Sequence, residues 1–402
     1  MASALEGMQV VDLTHHIVGP FATKLLADYG ADVVKIERPD GGDAARRLGP
    51  FFRDLPDDEG SGLFLQLNTN KRSMTLNLKH KEGREILLQL VRDADVLVES
   101  FAPRVMPSLG LDFETLHRAN PRLVVASISN FGQSGPYRDY KMSEITAYAL
   151  GGTMATTGLP HREPVKLALT VMQVYAGMVC ATAITGAYLG SKWHGTGQQV
   201  DLALSLVMAT NQDRALMASA AYQYLGQMGQ RSGGNRVDIT PASAYPCADG
   251  YVQMFALVQS WPAVCNLIER PDLIEDPHFT ENRTGNAEVK AEFEAIFLEW
   301  LSRHGKQEIM ERAQSLGYIC GAGNVMEDTF RDRQLNSRGF FVEVDHPYTG
   351  LLRYPGAPVR MSATPWRAGR APLLGEHTEE VLHERLGYDE DELKRLREEE
   401  IV

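Results

Sequence analysis

The amino-acid sequence predicts an α/β protein: a large domain built on a doubly wound parallel sheet, with a second, smaller α+β domain. Three observations carry this. The chain opens on a strand–helix–strand unit, apolar strands and amphipathic helices alternate to about residue 130, and the texture changes near Tyr222. In the opening unit "MQVVDL" and "ADVVKIE" are short apolar runs, and "FATKLLADYG" is the helix between them. Pro20 suits a first helical turn and Gly30 a helix end. Two strands joined through a helix run parallel. The alternation continues with the helix "EGREILLQLVRDA" and the strands "DVLVES" and "LVVASIS". The loop "VDLTHHIVGP" holds one glycine where a dinucleotide fold needs G-x-G-x-x-G, so a nicotinamide or flavin site is excluded there.

A chain of 402 residues exceeds one ordinary core, at about 150 residues per domain. Residues 1–224 are read as the first part of the large domain and 225–328 as the small domain. The latter opens on the glycine- and proline-rich "YLGQMGQRSGGNRVDITPASAYPCADGYVQMF", with a short strand pair, and then carries the amphipathic helix "AEVKAEFEAIFLEWLSRH". From "RGFFVEVDHP" onward strand and turn signals return, followed by two charged helices, "EHTEEVLHERLG" and "DEDELKRLREEEIV", read as solvated faces laced with ion pairs.

Composition narrows the function. Hydrophobic residues make up 44% and charged residues 23%, as in an ordinary globular protein. A net charge of −12 excludes a general nucleic-acid binder but not a local basic pocket for an anionic small molecule. The four cysteines have no metal-ligand spacing, so no metal is expected and the thiols are read as reduced. The start "MASALEGMQVVDL" does not read as a signal peptide. The apolar "VYAGMVCATAITGAYLGSKW" is rich in Ala and Gly, which suits close packing inside a protein. The expectation is a soluble cytoplasmic protein with no membrane contact.

Several residues could carry chemistry. Thr14, His15 and His16 follow the first strand, where open α/β sheets gather their ligands, or one of them simply caps the next helix. Arg38, just past the second strand, suits stacking on a base or pairing with phosphate, or is a solvated arginine near the flexible turn "DGGD". Lys71, Arg72 and Lys79 in "NTNKRSMTLNLKHKEG" read by themselves as a solvated edge. "GQRSGGNR" is either a mobile loop over a ligand or a linker turn. "KLALTVMQVYAG" reads as a buried strand running into a helix with Gln173 at the turn. Its amide can orient a group or donate to an oxyanion, but it cannot attack a thioester or hold an acyl group as an anhydride.

The stretches "LADYGADVVKIERPDGGD", "NKRSMTLNLK", "VLVESFAP", "SNFGQSGPY", "GTGQQVDLAL", "RSGGNR", "FVEVDHPYTG" and "LLGEHTEEVL", in this order, resemble the family III coenzyme A transferases over essentially the whole chain. The resemblance implies a Rossmann-like large domain from both chain termini, residues 329–402 completing the part begun in 1–224, an inserted smaller domain, and two interlocked subunits. It also implies acyl-CoA and a carboxylic acid as substrates, with no permanently bound cofactor. In that family an aspartate ahead of the long small-residue helix attacks the acyl-CoA, and this position falls on Gln173. An amide of the first loop is matched by Ile17, a polar Asn by Ser100, and a lysine of the "SNFGQSG" region by Ser129. Arg38 matches an adenine-stacking arginine, and Leu76, Leu78 and Lys79 match the adenine wall. Phe101 keeps its place, and Glu144 matches a glutamate near the transferase site. The racemases of the family use a His-Asp pair that appears here as Ser143 and Glu144, which argues against racemisation.

The resemblance therefore implies a chain without its own nucleophile. The first reading is the silent subunit of a hetero-oligomer whose aspartate-bearing paralogue reacts, similar to the benzylsuccinate CoA-transferases of anaerobic aromatic degradation, which draw CoA from succinyl-CoA. The alternatives are a self-standing acyl-CoA lyase, hydratase or isomerase using His15, His16 or Glu144 as acid or base, and a non-enzymatic CoA-binding protein.

Overall fold

The computed structural model describes residues 2–210, 213–231, 241–255, 258–282 and 286–402. The large sheet is parallel throughout. Its strands are β1 (Gln9–Leu13), β2 (Asp32–Glu37), β3 (Arg72–Thr75), β4 (Val96–Glu99), β5 (Val124–Ser129) and β6 (Gln199–Ala203), in the order β3-β2-β1-β4-β5-β6. Val10, Val11, Val33, Val34, Val96, Leu97, Val98 and Val124 are all buried, as a parallel sheet covered on both faces requires. The strand order reverses between β1 and β4. The crevice at their carboxyl ends is therefore the expected ligand position.

Helices Val18–Asp28, Lys81–Asp93 and Val171–His194 cover the sheet. Lys81–Asp93 buries Ile86, Leu87, Leu90 and Val91 on one face, the spacing of an amphipathic helix. The same core receives the C-terminal helices Thr378–Leu386 and Glu390–Glu398 through Val381, Leu382, Leu393 and Leu396. These charged helices thus carry a buried apolar stripe as well as ion pairs such as Arg395–Glu82. Sequence reasoning took them as solvated because charge dominates their composition.

The chain divides into two compact units: residues 1–153, 167–226 and 337–402 form the larger, residues 154–166 and 227–336 the smaller. The large unit thus draws on both ends of the chain. The boundaries differ from those read in the sequence, since the small unit extends to Asn336 and also takes in Met154–Lys166. The small unit has a three-stranded antiparallel sheet, β7 (Ala244–Cys247), β8 (Gly250–Phe255) and β9 (Ile319–Ala322), and its own core around Trp261, Phe293, Phe297 and Leu301. In the large unit β10 (Phe341–His346) and β11 (Gly350–Pro355) form a hairpin.

The stretch around Gln173 is not a strand running into a turn. Residues 163–170 carry no strand, Leu169 is 83% exposed with φ +55, and the helix has already begun at Val171. A short apolar run does not by itself specify a strand, and this one lines an open apolar groove with Met172, Tyr175 and Met178. Among the described residues Val171–His194 is the one helix long and apolar enough to cross a membrane by length and composition, and 39% of its most apolar window is buried. It packs on Val18–Asp28 so closely that a Cβ at Gly177 would lie 2.8 Å from the Val18 carbonyl.

Candidate active site

The loop after β1 is fixed from beneath by buried charge. Asp12 accepts hydrogen bonds from the Thr14 amide at 2.9 Å, the Thr14 hydroxyl at 2.5 Å and the Thr23 hydroxyl at 2.6 Å, and it pairs with Lys71 at 3.1 Å. Burial opposes its ionisation, but Lys71, Lys35 and the two hydroxyls outweigh that and hold its carboxyl well below the usual range. Burial in turn pushes Lys71 down to about 8 against the pull of Asp12. Lys71 is therefore not part of a solvated edge. It is buried, and it also donates to the Asn68 side chain at 2.8 Å and the Pro20 carbonyl at 2.9 Å.

Asp43, read in the sequence as part of a flexible turn, is the second support. It is fully buried and pairs with Lys35 at 2.9 Å. Its other oxygen accepts from the amides of His16 at 3.0 Å and Ala45 at 2.9 Å and lies 3.7 Å from Nδ1 of His15. Burial again opposes ionisation, and Lys35 with these donors overcomes it, so the carboxyl is held far below its ordinary value. Lys35 also donates to the Thr14 carbonyl at 2.7 Å. His16 is held at φ +66, a backbone state few side chains adopt, and the Asp43 bond to its amide is what fixes it. None of these three loop residues caps the following helix, whose N-cap is Ile17 without a side-chain bond.

Above this loop lie two adjoining cavities, both lined wholly by the large unit. The first, of about 850 Å³, holds His15, Ile17, Ser100, Phe101, Ser129, Glu144 and Gln173. The second, of about 600 Å³, holds Arg38, Leu76, Leu78 and Lys79, and shares His15 and Phe101 with the first. The two shared rings lie 5.6 Å apart, and the His15 amide donates to the Ser100 hydroxyl at 3.0 Å. The fold thus brings His15, Ile17, Arg38, Leu76, Leu78, Lys79, Ser100, Phe101, Ser129, Glu144 and Gln173 to two adjoining chambers, whereas Thr14, Lys71 and Arg72 line neither.

Each chamber has its own chemistry. In the second, Arg38 and Lys79 present cations beside the apolar side chains of Leu76 and Leu78, a surface that suits a base and its phosphates. In the first, Glu144 begins the helix Glu144–Leu150, and its Oε1 accepts from the Met172 amide at 3.1 Å. Its Oε2 is buried with no hydrogen-bond partner. Gln173 follows Met172 on the same helical turn, so an amide and a carboxylate stand together at the start of Val171–His194.

Two features escaped the sequence reading. Arg397 and Glu400 of the C-terminal segment line the second chamber, and Asn77 holds that segment by donating to the Ile401 carbonyl at 2.7 Å. Beneath the first chamber, Glu99 at the end of β4 accepts from the Phe101 amide at 2.9 Å. Burial, reinforced by Asp201, pushes its carboxyl up to about 7. A carboxylate ending the apolar strand "VLVES" was the visible signal for Glu99. The charged "LREEEIV" gave none for the terminal segment. Most of the glycine-rich loop "GQRSGGNR" lies outside the described residues.

Comparison with known proteins shows the family. The pattern of CoA-transferase family III matches residues 5–378. A formyl-CoA:oxalate CoA-transferase from Streptomyces coelicolor is 36% identical over 410 residues, covering 98% of each chain, and its namesake from Streptomyces avermitilis is 35% identical over 99% of each. Among solved structures, a CAIB/BAIF family protein from Brucella suis superposes with a TM-score of 0.84 at 28% identity, over 96% of this chain and all of that one. Full-length similarity at this level, over a fold that assembles the two-chambered site, leads to one conclusion: the chain belongs to CoA-transferase family III.

Proposed function

We propose that this chain is a subunit of a CoA-transferase that moves CoA from an acyl-CoA such as succinyl-CoA to a carboxylic acid, an aromatic succinate such as benzylsuccinate being the acceptor class. Its nucleophile comes from an aspartate-bearing paralogue in a hetero-oligomer. One observation carries the reading: the first chamber holds a neutral amide at Gln173, beside a second chamber lined by Arg38, Leu76, Leu78 and Lys79. An amide cannot form the acyl anhydride that covalent CoA transfer needs. The nucleotide of CoA is assigned to Arg38, Leu76, Leu78, Lys79, Ser100 and Phe101, with the thioester reaching past Phe101 towards Glu144 and Gln173. The names of the relatives, formyl-CoA:oxalate CoA-transferases, support CoA exchange between two acids.

Assembly with a second, interlocked subunit is supported by apolar side chains on the long helix: Val171 is 47%, Met178 42% and Trp193 74% exposed. The test is to produce the chain alone and together with an aspartate-bearing paralogue. Alone it is expected to transfer no CoA from succinyl-CoA to benzylsuccinate. Together the two masses are expected in one native assembly that does. Robust transfer by the lone chain would sink the proposal.

A further inference from the structure

We infer that Glu144 and Gln173 give this chain an acyl-CoA hydrolase activity of its own. The inference rests on the reading that acyl-CoA occupies the two chambers, but not on the partner subunit. A buried carboxylate oxygen without a hydrogen-bond partner is rare and needs a reason. Here Oε1 of Glu144 is pinned by the Met172 amide at 3.1 Å, which orients the group, while Oε2 remains unpartnered in a chamber of about 850 Å³. That volume accommodates an acyl group and a water molecule together. Gln173, one residue beyond Met172, supplies an Nε2–H donor to the same chamber, and among the described residues its side chain makes no hydrogen bond that would have to be broken.

The step balances with water as the only co-reactant. Glu144 Oε2 takes a proton from a water whose oxygen attacks the thioester carbonyl carbon, and the carbonyl π pair moves to oxygen as an oxyanion held by the Gln173 amide. Collapse reforms the carbonyl, breaks the C–S bond and expels the CoA thiolate, which recovers the proton from Glu144. The products are the free acid and CoA. A carboxylate base and an amide donor are each competent for these roles. With an amide at 173, water is left as the available attacking group.

The test incubates the lone chain with succinyl-CoA in H₂¹⁸O and follows CoA release by chromatography and label by mass spectrometry. Release above the uncatalysed rate is expected, with one ¹⁸O in the succinate and none in the protein after a single turnover. Glu144→Gln is expected to slow it about 100-fold or more, and Gln173→Ala by about 100-fold. Both variants are expected to keep CoA affinity, because a glutamine at 144 can still accept from the Met172 amide. Binding of CoA without release overturns this inference alone, as does release unaffected by Glu144→Gln. Label in Glu144 itself overturns it in favour of a covalent glutamyl intermediate. Failure of CoA to bind at all overturns the occupancy reading on which both proposals rest.

Discussion

The two chambers share His15 and Phe101 but differ in how their chemistry is made. The chamber proposed for the nucleotide presents exposed cations, Arg38 and Lys79, set at strand ends against apolar neighbours. The reacting chamber depends on groups placed by a helix start: Glu144 bonded to the Met172 amide, and Gln173 one residue later. On the proposed reading, binding and reaction are separable in this molecule, apart from the loop beneath both, which buried charge holds in place. Substitutions can break that comparison at the shared support or at either chamber.

The largest effect is expected at the support. Asp43→Ala leaves Lys35 buried without its partner at 2.9 Å and frees the His16 amide. Loss of one member of a buried pair costs about 3–5 kcal/mol. Urea unfolding is expected to show that loss, and CoA affinity is expected to fall with it. A folded variant with wild-type stability would show that the loop is held some other way.

Glu99 lies one step further from the chambers, supporting the wall they share. Its carboxyl is raised from 4.5 to about 7, so the native state binds the proton more tightly than the unfolded chain does. The stability that goes with the bound proton is therefore complete below about pH 4.5 and is lost as pH rises through about 7. Glu99→Gln, which keeps an acceptor for the Phe101 amide but cannot ionise, is expected to match the wild type at pH 5. At pH 8 it is expected to exceed it by on the order of 2 kcal/mol. Equal thermal shifts at both pH values would contradict this.

The contrast between the chambers also explains what the sequence discloses. The strands are apolar runs buried on both faces, and β1, β2, β4 and β5 are readable as such. The grouping of Arg38, Leu76, Leu78 and Lys79 around one cavity was legible because they belong to motifs next to those strands. Asp43 in "DGGD" and Lys71 in "NTNKRS" were not, because charge in a glycine-rich or polar stretch reads as solvated until the fold pairs it: Asp43 with Lys35, Lys71 with Asp12. The strand expected before Gln173 failed for a related reason. Among the described residues 163–170 form no strand, and Leu167 and Leu169 stand exposed. The free oxygen of Glu144 is a property of three-dimensional arrangement, with no local sequence signal.

At the nucleotide chamber Arg38→Ala is expected to weaken CoA binding by about 1.5–3 kcal/mol, the worth of hydrogen bonds to a charged group, measured by calorimetry. The rate of CoA release at saturating acyl-CoA is expected to stay unchanged. A fall in that rate at saturation would join the two chambers functionally and break the comparison.

The smallest effect on CoA affinity is expected where the resemblance invites the largest effect on reaction. Gln173→Asp introduces a carboxylate on a side chain one methylene shorter at the first turn of Val171–His194, where an anion is favoured by the helix N-terminus. CoA affinity, set in the other chamber, is expected to change by less than about threefold, under 0.7 kcal/mol. No hydroxylamine-trappable acyl-enzyme is expected. Covalent attack needs the thioester carbon held within about 3.5 Å of the carboxylate. That placement is governed by Ile17, Ser100 and Ser129, which line the same chamber and carry none of the amide or ammonium groups that the family resemblance assigns to their positions. Ile17 and Ser129 are buried and Ser100 is engaged by the His15 amide, so one new carboxylate leaves the arrangement around the thioester as it is. Trapping of an acyl-enzyme in the single variant would show instead that the chamber already holds the thioester in reach, and that residue 173 alone decides whether this chain reacts covalently.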